Sequence, residues 1–364
     1  MRVLVVNAGS SSLKLRVVEA DDSVSAASDL PPARGADAVA GLQRAIGALA
    51  PVDAVGHRIV HGGTEFTRAV ILNEEVEQRL RALTDLAPLH QPKSLAALEA
   101  TRATLPDVPA VACFDTAFHA NLPAAASTYA LPLEWRRRWP LRRFGFHGLS
   151  HAYSSRRGAA MLGRPIEDLR VVTCHLGAGA SLCAVLRGQS VDTTMGFTPL
   201  EGLVMATRSG SVDPGLVLWL EQHAGVSTAE LAEVLESRSG LLGLAGQADM
   251  EAILRKRARG DASARLAVAV YLHHLCAGIA AMAAAMEGLD ALVFTGGVGE
   301  NSDSIREMCG ERLGFLGVQI DPGCNQRSAG DRQIGAPTSS VQVMVIQSRE
   351  DLQIAHEVRR LLNE

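Results

Sequence analysis

The sequence predicts an α/β protein built from two related lobes. The first lobe is indicated by residues 3–17, where a short aliphatic run is followed by a small polar turn and by alternating apolar and charged residues. The same order of strand, glycine-containing turn and strand recurs at residues 171–188. A chain of 364 residues is long enough for two domains with separate cores. Each unit taken alone is equally compatible with an ordinary hairpin.

The composition indicates a soluble globular protein, with 47% hydrophobic and 20% charged residues. A net charge of −4 and the lack of a basic stretch interleaved with aromatic residues argue against nucleic acid as a partner. The six cysteines form no Cys-x-x-Cys pair, and the N-terminus enters a strand without a secretory signal, so a reducing cytoplasm is expected. Residues 266–286 are apolar but rich in Ala and contain two His, which predicts a buried helix and no membrane span.

The turn at residues 7–12 has the chemistry that a phosphate group needs. Its Asn, Gly and three Ser residues offer backbone N–H groups, hydroxyls and little steric bulk, and Lys14 adds a mobile positive charge. With a second glycine turn in the other lobe, the pattern suggests two lobes that grip one nucleotide. Residues 19–36, which follow the first hairpin, predict a loop or a weak edge hairpin.

Two strands in the first lobe end at charged residues. Residues 52–63 predict a strand with Arg58 near its end, and residues 108–114 predict a strand followed by Asp115. Open α/β sheets place their chemistry at the carboxyl ends of strands, although a helix cap by Asp115 or Thr116 explains the residue equally well. Two His pairs, at 57 and 61 and at 147 and 151, have metal-pair spacing. Their surroundings disfavour zinc and a metal hydrolase.

The second half contains two segments with functional signals. Residues 192–210 form a long irregular segment, which in a compact domain usually serves function, and Arg208 is its only cation. Residues 295–301 follow a buried strand and predict a glycine loop that opens onto a helix capped by Asn301 or Ser302, a candidate nucleotide site. Residues 237–247 predict a glycine-punctuated connector. The chain contains neither Gly-Lys-Ser/Thr nor Gly-x-Gly-x-x-Gly, which excludes a Walker loop and a dinucleotide fingerprint.

Six motifs in order resemble the acetate kinase family, a branch of the superfamily of acetate and sugar kinases, heat-shock ATPases and actin. They are Asn-Ala-Gly-Ser-Ser-Ser-Leu-Lys at 7–14, His-Arg-Ile-Val-His-Gly-Gly at 57–63, Phe-Asp-Thr-Ala-Phe-His at 114–119, Phe-Gly-Phe-His-Gly-Leu-Ser-His at 144–151, Met-Gly-Phe-Thr-Pro-Leu-Glu-Gly at 195–202 and Gly-Gly-Val-Gly-Glu-Asn at 296–301. The resemblance implies two ribonuclease-H-like (actin-like ATPase) lobes with an active-site cleft between them. It implies an N-terminal lobe of residues 1–118 plus 351–364, and a C-terminal lobe of residues 119–350 that binds nucleotide and forms a homodimer.

The resemblance also implies the reaction, which is reversible in-line phosphoryl transfer from ATP to acetate with Mg²⁺ or Mn²⁺, giving acetyl phosphate. Such transfer needs positioning and positive charge where negative charge develops. The implied catalytic residues are Arg58, Asp115, His147 and Arg208, with His119 and His151 in support. The implied metal groups are Asn7, Asp115 and Glu350, and the implied acetate pocket is Val60, Leu89, Phe146 and Pro199. The implied nucleotide contacts are Asn7, Ser10, Ser12, Lys14, His175, Leu176, Gly177, Ala178, Gly179, Asp249, Met250, Glu251, Gly296, Gly297, Val298, Gly299, Glu300 and Asn301.

Three departures from the family pattern keep other functions open. Ala178 and Ala180 replace polar residues of the family's second phosphate loop, and Glu251 occupies a position where the family usually has a basic residue. The alternatives are a propionate kinase, because one methylene is worth only ~1–3 kcal/mol of discrimination, a kinase that uses GTP or pyrophosphate, or a nucleotide-binding sensor with weak turnover. The retained charged residues argue for catalysis, whereas the three replacements underlie the sensor hypothesis.

Overall fold

The structure is a computed structural model, and it describes residues 1–9, 13–31, 36–86, 91–327 and 330–363. The chain divides into two compact units. The N-terminal unit comprises Met1–Ala120, Phe146–Tyr153 and Arg349–Glu364, and the C-terminal unit comprises Asn121–Gly145 and Ser154–Ser348. The expected lobe boundaries, and the roles assigned to the lobes, stay predictions.

The N-terminal unit contains a six-stranded sheet in the order β3-β2-β1-β4-β6-β5. Strands β1, β4 and β6 are parallel neighbours, whereas β2, β3 and β5 pair antiparallel. The predicted hairpin is confirmed, and β3 adds an edge strand, so the described part of residues 19–36 follows the edge-hairpin alternative. The strands are β1 (Val3–Ala8), β2 (Leu13–Val18), β3 (Val24–Leu30), β4 (Ala54–Ile59), β5 (Val70–Ile71) and β6 (Ala110–Phe114).

Helices cover both faces of this sheet. The helix over one face approaches β4 so closely that a Cβ atom on Gly56 would lie 2.4 Å from Ile354 Cγ2. Alternate residues of β1 supply the two cores, with Val3 and Val5 on the side of Ile354 and Leu4 and Val6 on the other. The helices of the unit are α1 (Ala36–Leu49), α2 (Glu74–Ala82), α3 (Gln91–Thr104) and the C-terminal helix α15 (Glu350–Asn363), and the 3₁₀ turns are Thr84–Leu86 and Ala117–His119.

The C-terminal unit repeats the same topology. Its sheet has the order β11-β12-β10-β7-β8-β9, with β7, β10 and β12 parallel and β8, β9 and β11 antiparallel to their neighbours. The strand pattern of the first sheet therefore occurs twice, which confirms the prediction of two related lobes. The strands are β7 (Arg170–Leu176), β8 (Ala180–Leu186), β9 (Gln189–Thr193), β10 (Ala291–Thr295), β11 (Arg332–Gln333) and β12 (Gln342–Val345).

The long apolar helix of this unit, Ala262–Ala285, packs on the sheet. Its length and hydropathy would suit a membrane span, but one face is buried and Gly278 lies against Leu182 of β8. It is the core helix that the sequence predicts. The remaining helices are α4 (Ala124–Ser127), α5 (Leu133–Arg138), α6 (Gly148–Leu162, which begins in the N-terminal unit), α7 (Pro214–His223), α8 (Thr228–Glu233), α9 (Gly240–Ala245), α10 (Met250–Ala258), α11 (Ala262–Ala285), α12 (Gly296–Asn301), α13 (Asp303–Arg312) and α14 (Pro322–Asn325), with 3₁₀ turns at Ile166–Asp168 and Gly314–Leu316.

Two segments predicted to be irregular are helical. The connector at 237–247 overlaps a π-helical turn, Val234–Arg238, and contains α9. The prediction that residues 295–301 form a loop is wrong, because residues 296–301 form helix α12 directly after β10. The backbone turns from strand to helix at Gly296, whose φ of +77° glycine tolerates. Ser302 caps the next helix by accepting a hydrogen bond from Ile305 N at 3.4 Å.

His57 is a buried polar residue in the sheet of the N-terminal unit. Because Gly56 faces α15 and successive strand residues alternate, the His57 side chain points to the face covered by α1 and α3. Neither ring nitrogen has a hydrogen-bond partner among the residues that the structure describes. Burial lowers the pKa of His57 to about 4, so the ring is neutral in the folded protein at neutral pH.

We expect His57→Leu to reduce the acid sensitivity of the protein. Below a pKa of about 6.5 the unfolded chain takes up a proton on His57, whereas the folded chain does so only near pH 4, so His57 costs stability as the pH falls through this window. At about pH 5, His57 lowers the free energy of unfolding by on the order of 2 kcal/mol relative to its value at neutral pH. Thermal unfolding at about pH 7.5 and about pH 5 measures it. The exposed His273, changed to Gln, serves as the control, and an unchanged pH dependence in the His57→Leu variant contradicts the expectation.

Candidate active site

Four predicted residues of the N-terminal unit form a connected cluster around Arg58. Its Nε and Nη2 donate to the two carboxylate oxygens of Asp115 at 2.9 and 2.6 Å. Its Nη1 donates to Asn7 Oδ1 at 3.1 Å, and Asn7 Nδ2 donates to Glu350 Oε2 at 2.8 Å. Glu350 Oε2 also lies 3.8 Å from Arg58 Nη1. Residues from four distant parts of the chain therefore share one hydrogen-bonded network.

The parallel strands explain why these residues meet. Asn7 lies near the end of β1 and Arg58 near the end of β4, and Asp115 directly follows β6. The carboxyl ends of three parallel neighbours meet at one sheet edge, where open α/β sheets place their chemistry. The alternative of a helix cap does not hold, because the Asp115 carboxylate pairs with Arg58 and Thr116 Oγ1 accepts from Gly62 N at 3.0 Å.

The cluster is deeply buried and carries excess negative charge. The side chains of Arg58 and Asp115 are only 12% and 2% exposed. Burial lowers the pKa of Arg58, but the carboxylates of Asp115 and Glu350 more than offset this, so its pKa is raised and the guanidinium stays charged. Burial raises the pKa of Asp115 and Glu350 adds to the rise, while Arg58 opposes it. Two carboxylates beside one guanidinium give a site that attracts a cation.

The donor set fits Mg²⁺. Asp115 and Glu350 supply carboxylate oxygens and Asn7 an amide oxygen, the hard ligands that this ion prefers. In the described part of the chain, no group of three His, Cys, Asp or Glu residues could hold a metal by itself. Mg²⁺ is usually bound through one or two carboxylates together with substrate phosphates, and the cluster contains two carboxylates.

His147 is held next to this cluster by an unusual backbone. It has a φ of +56°, and its backbone N–H contributes a hydrogen bond that lowers the pKa of Asp115. The following Gly148 donates its N–H to Asp115 O at 2.9 Å, and a Cβ atom there would lie 2.2 Å from that oxygen. Glycine is therefore required at this position, and it brings the start of α6 against the end of β6.

The two histidines predicted to support His147 lie next to one another in the N-terminal unit. His119 is buried, its Nε2 lies 3.0 Å from Phe146 O, and its ring centroid is 5.8 Å from that of His151. Burial lowers the pKa of His119 to about 4, so this ring is neutral at neutral pH. The His119 ring thus contacts the backbone carbonyl directly before His147.

The predicted pocket residues are distributed over both units. Val60 and Phe146 are buried in the N-terminal unit, where the Phe146 ring lies 5.4 Å from that of His61, and Pro199 is buried in the C-terminal unit. Leu89, Ser10 and Ser12 lie outside the described residues. Lys14 is exposed on β2 and pairs in register with Asn7.

Two predicted nucleotide-binding stretches come together in the C-terminal unit. The turn after β7 is closed by a hydrogen bond from Gly177 N to Gly179 O at 2.9 Å. In the neighbouring parallel strand β10, Thr295 pairs with His175. A Cβ atom on Gly296 would lie 2.9 Å from Leu176 O, so the start of α12 packs directly on the end of β7. The residues 175–179 and 296–301 thus share one edge of this sheet.

Helix α12 is held in place by two side chains. Glu300 Oε1 accepts hydrogen bonds from Gly296 N and Ser348 N, each at 2.9 Å. Arg306, which is buried, donates to Gly299 O at 2.8 Å and to Glu300 O at 2.9 Å. Sequence reasoning missed Arg306, because an arginine on a helix gives no pattern that separates it from a surface residue.

The segment predicted to contact the nucleoside is organised by a helix cap. Asp249 Oδ1 accepts from Ala252 N at 2.8 Å and caps α10, and Met250 is buried. Glu251 is exposed and lies 3.0 Å from Arg255 Nη1. The nucleotide contacts assigned to residues 249–251 stay predictions.

Arg208 is bonded within the C-terminal unit. Its Nε lies 3.2 Å from Glu236 Oε2, and its Nη1 donates to Pro199 O at 3.4 Å. Pro199 in turn belongs to a segment held by Tyr129, whose hydroxyl donates to Glu201 Oε2 at 2.6 Å and accepts from Phe197 N at 2.9 Å. Sequence reasoning did not identify Glu236 or Tyr129.

Comparison with protein-family models matches residues 36–356 to the acetokinase family. The chain belongs to this family. It is 48% identical over 324 residues to the acetate kinase of Trichormus variabilis, an alignment that covers 89% of this chain and 80% of the relative. Among solved structures, it is similar to the acetate kinase of Porphyromonas gingivalis, with 34% identity, a TM-score of 0.90 and 99% of each chain covered. A propionate kinase from Francisella tularensis gives 34% identity, a TM-score of 0.89 and 98% coverage of each chain.

These comparisons confirm the predicted family, fold class and enzyme class. The chain has the fold of the acetate kinase structures, with two related α/β units of the actin-like ATPase type. Members of the family transfer a phosphoryl group from ATP to a carboxylate with Mg²⁺, so the chain is a phosphotransferase with a carboxyl group as acceptor. The roles given to individual residues stay predictions.

Proposed function

We propose that this protein catalyses the reversible, Mg²⁺-dependent transfer of the terminal phosphoryl group of ATP to acetate, giving acetyl phosphate and ADP. The observation that carries the proposal is the network of Asn7, Arg58, Asp115 and Glu350 in a chain that is 48% identical to an acetate kinase. It combines a fixed positive charge with carboxylates suited to a cation, as phosphoryl transfer requires.

The reaction needs no general base, because acetate is already ionised at neutral pH. A carboxylate oxygen attacks the γ-phosphorus, the bond from this phosphorus to the bridging oxygen breaks, and that oxygen leaves on ADP with the electron pair. Negative charge develops on the equatorial oxygens of the transferring group. We assign the compensating positive charge to Arg58 and Arg208, and a hydrogen bond from the side chain of His147 to the same group. His119 and His151 support His147.

The metal would be held by Glu350, Asp115 and Asn7, and Asp115 would in addition orient Arg58. Both Asp115 oxygens accept from Arg58, whereas Glu350 Oε2 faces the amide of Asn7. Mg²⁺, when bound, neutralises charge on the phosphates of ATP. The bidentate pair keeps the Arg58 guanidinium in one plane, which matters because a guanidinium recognises phosphate oxygens directionally.

We assign nucleotide binding to the two glycine-rich stretches that share a sheet edge, together with Asn7, Lys14 and residues 249–251. The turn at 177–179 and the start of α12 expose backbone with little side-chain bulk, which supports close approach by phosphates. Ala178 is exposed, so the loss of a polar side chain there removes a hydrogen-bonding group but leaves the backbone accessible.

Acetate is the preferred acceptor in this proposal, and propionate is the second candidate. Val60 and Phe146, the predicted pocket residues described in the N-terminal unit, are apolar and buried, which suits a methyl group. One methylene in such a pocket changes the free energy of binding by only ~1–3 kcal/mol. The similarity to a propionate kinase, at the same 34% identity as to an acetate kinase, keeps propionate as a substrate to be measured.

We expect acyl phosphate to form from acetate and ATP in the presence of Mg²⁺. The measurement is a hydroxylamine trap with acetate, propionate and butyrate as acceptors and with ATP, GTP and pyrophosphate as donors. Chelation of the metal should abolish the signal, because the phosphate charge is then not neutralised. If acyl phosphate forms only with GTP or pyrophosphate, that donor takes the place of ATP in the proposal. If a folded protein that binds nucleotide forms no acyl phosphate with any donor, the sensor hypothesis is favoured.

We expect Glu350→Gln to raise the Mg²⁺ concentration needed for half-maximal turnover. The substitution removes one of two carboxylates from the cluster while keeping the side-chain volume, so the site attracts the cation less strongly. A Mg²⁺ titration of the hydroxamate signal measures the shift. Glu75→Gln is the matched control, because Glu75 is an exposed carboxylate of the same unit. An unchanged titration curve for Glu350→Gln would remove Glu350 from the metal site.

We also propose that the protein is a homodimer formed through the C-terminal unit and that it is cytoplasmic. Helix α7 has an apolar sequence but buries none of its residues, and Leu218 and Trp219 are 53% and 54% exposed. On α11 Leu266 is 56% exposed. Large exposed apolar groups on one unit support a self-association surface. All six cysteines are free thiols, which supports a reducing compartment.

We expect Leu218→Asp to convert the dimer into a monomer. A charge placed on the apolar face of α7 would have to be desolvated on association, which disfavours the complex. Light scattering coupled to size-exclusion chromatography measures the mass. Leu133→Asp is the matched control, because Leu133 is a leucine of similar exposure, 49%, on a different helix, α5. A wild-type mass equal to one chain contradicts the proposed homodimer.

A further inference from the structure

Glu236 is a carboxylate that contacts Arg208 and that the proposed mechanism does not use. Its Oε2 lies 3.2 Å from Arg208 Nε, and the two side chains are 20% and 15% exposed. Glu236 lies in the π-helical turn Val234–Arg238, whereas Arg208 lies in the irregular segment 192–210, so the pair joins two separate parts of the chain. The pair is thus a tertiary contact, largely removed from solvent.

Backbone hydrogen bonds join the two segments that carry this pair. They connect residues 205–209, on either side of Arg208, with residues 234–242, on either side of Glu236. The bonds run from Ser209 N to Leu235 O at 3.0 Å, from Ser239 N to Thr207 O, from Leu241 N to Met205 O and from Leu242 N to Ala206 O, each of these three at 2.9 Å. In addition, Thr207 Oγ1 donates to Glu236 O at 3.1 Å. The position of Glu236 relative to Arg208 is therefore fixed by backbone.

The local backbone of the second segment is specialised for this contact. A π-helical turn is rare and frequently occurs at functional sites. Two residues after it, Gly240 has a φ of +60°, and a Cβ atom there would lie 2.2 Å from Met205 O and 2.5 Å from Arg208 O. Only glycine permits this approach, so the turn and the glycine together bring the Glu236 segment onto the Arg208 segment.

The contacts of Arg208 constrain its guanidinium on two nitrogens. Glu236 lies on the Nε side, and Pro199 O accepts from Nη1 at 3.4 Å. A planar guanidinium with two of its nitrogens held has a defined plane, which a single ionic contact would not give. Burial lowers the pKa of Arg208, and the Glu236 carboxylate opposes this effect and favours the charged form.

We propose that Glu236 is a positioning residue for the reaction, which sets the plane of the Arg208 guanidinium toward the transferring phosphoryl group. The inference rests on the proposed function, in which Arg208 stabilises that group. Glu236 itself touches no reacting atom in this scheme. Its carboxylate orients a side chain that would otherwise sample several rotamers, and a displacement of ~1 Å in such a group can cost ~100-fold in rate.

The test compares Glu236→Gln and Glu236→Asp with Arg208→Ala and with the double variant Glu236→Gln/Arg208→Ala. We expect Glu236→Gln to lower kcat by about 10- to 100-fold, because the guanidinium is no longer held in plane. The KM for acetate should change by less than about twofold, because ground-state binding does not use this contact. Glu236→Asp, which keeps the charge, should recover part of the loss. Thermal unfolding checks that each variant is folded.

The matched control is Glu233→Gln. Glu233 lies three residues before Glu236 at the end of α8, is 63% exposed, and its Oε1 is 4.0 Å from Arg238 Nη1, so its removal should leave kcat unchanged. In the Arg208→Ala background, Glu236→Gln should cause little further loss, since a residue that acts through Arg208 has nothing left to position.

The outcomes separate this inference from the proposed function. A slow Arg208→Ala variant with normal turnover in Glu236→Gln overturns the inference and leaves the function intact. An additive loss in the double variant also overturns it, because Glu236 would then act independently of Arg208. Wild-type turnover in Arg208→Ala removes the assigned role of Arg208 and the inference with it. Absence of acyl phosphate from the wild-type protein contradicts the proposed function.

Discussion

The bidentate ion pair between Arg58 and Asp115 is the interaction on which the candidate site of the N-terminal unit depends. Neither charge would be tolerated alone at this depth, and removing one partner of a buried pair typically costs about 3–5 kcal/mol. Because the pair uses Nε and Nη2, Arg58 Nη1 can donate a hydrogen bond to Asn7. Asn7 in turn donates to Glu350 at the start of the C-terminal helix. The helix that packs over the sheet therefore also delivers a carboxylate to its edge.

The C-terminal unit uses the same sheet topology to build a different kind of site. In the N-terminal unit, charged side chains lie together at the ends of the parallel strands. In the C-terminal unit, glycine-rich backbone lies at the corresponding strand ends. Gly296 lies against Leu176. Helix α12, which begins at Gly296, is held by the side chains of Glu300 and Arg306 through backbone N–H and carbonyl groups. Side-chain charge suits the transferring group and the metal, whereas glycine-rich backbone suits the close approach of phosphates. The same strand order thus brings charged side chains together in one unit and glycine-rich backbone together in the other.

Arginine recurs in this protein as a residue whose direction is set by its neighbours. Arg58 is fixed by a carboxylate and an amide, Arg208 by a carboxylate and a carbonyl, and Arg306 by carbonyls and an Asn. In each case the planar group is held on more than one nitrogen, and each is largely buried. Desolvation makes an unpaired guanidinium costly, so burial and multiple acceptors occur together.

The sequence by itself determined the fold class, the doubled hairpin, the family and most of the charged residues of the candidate site, because strand alternation, glycine turns and residues at strand ends are local signals. The positions of Arg58, Asp115 and Arg208 made them candidates, and the resemblance to the acetate kinase family implied their roles. Only the tertiary structure decided that Asp115 pairs with Arg58 and does not cap a helix, that the glycine loop at 295–301 is helical, and that Phe146–Tyr153 belongs to the N-terminal unit. It also decided the roles of Glu236 and Arg306 as partners of other residues. These outcomes depend on contacts between segments far apart in the chain, which leave no periodic trace in the sequence.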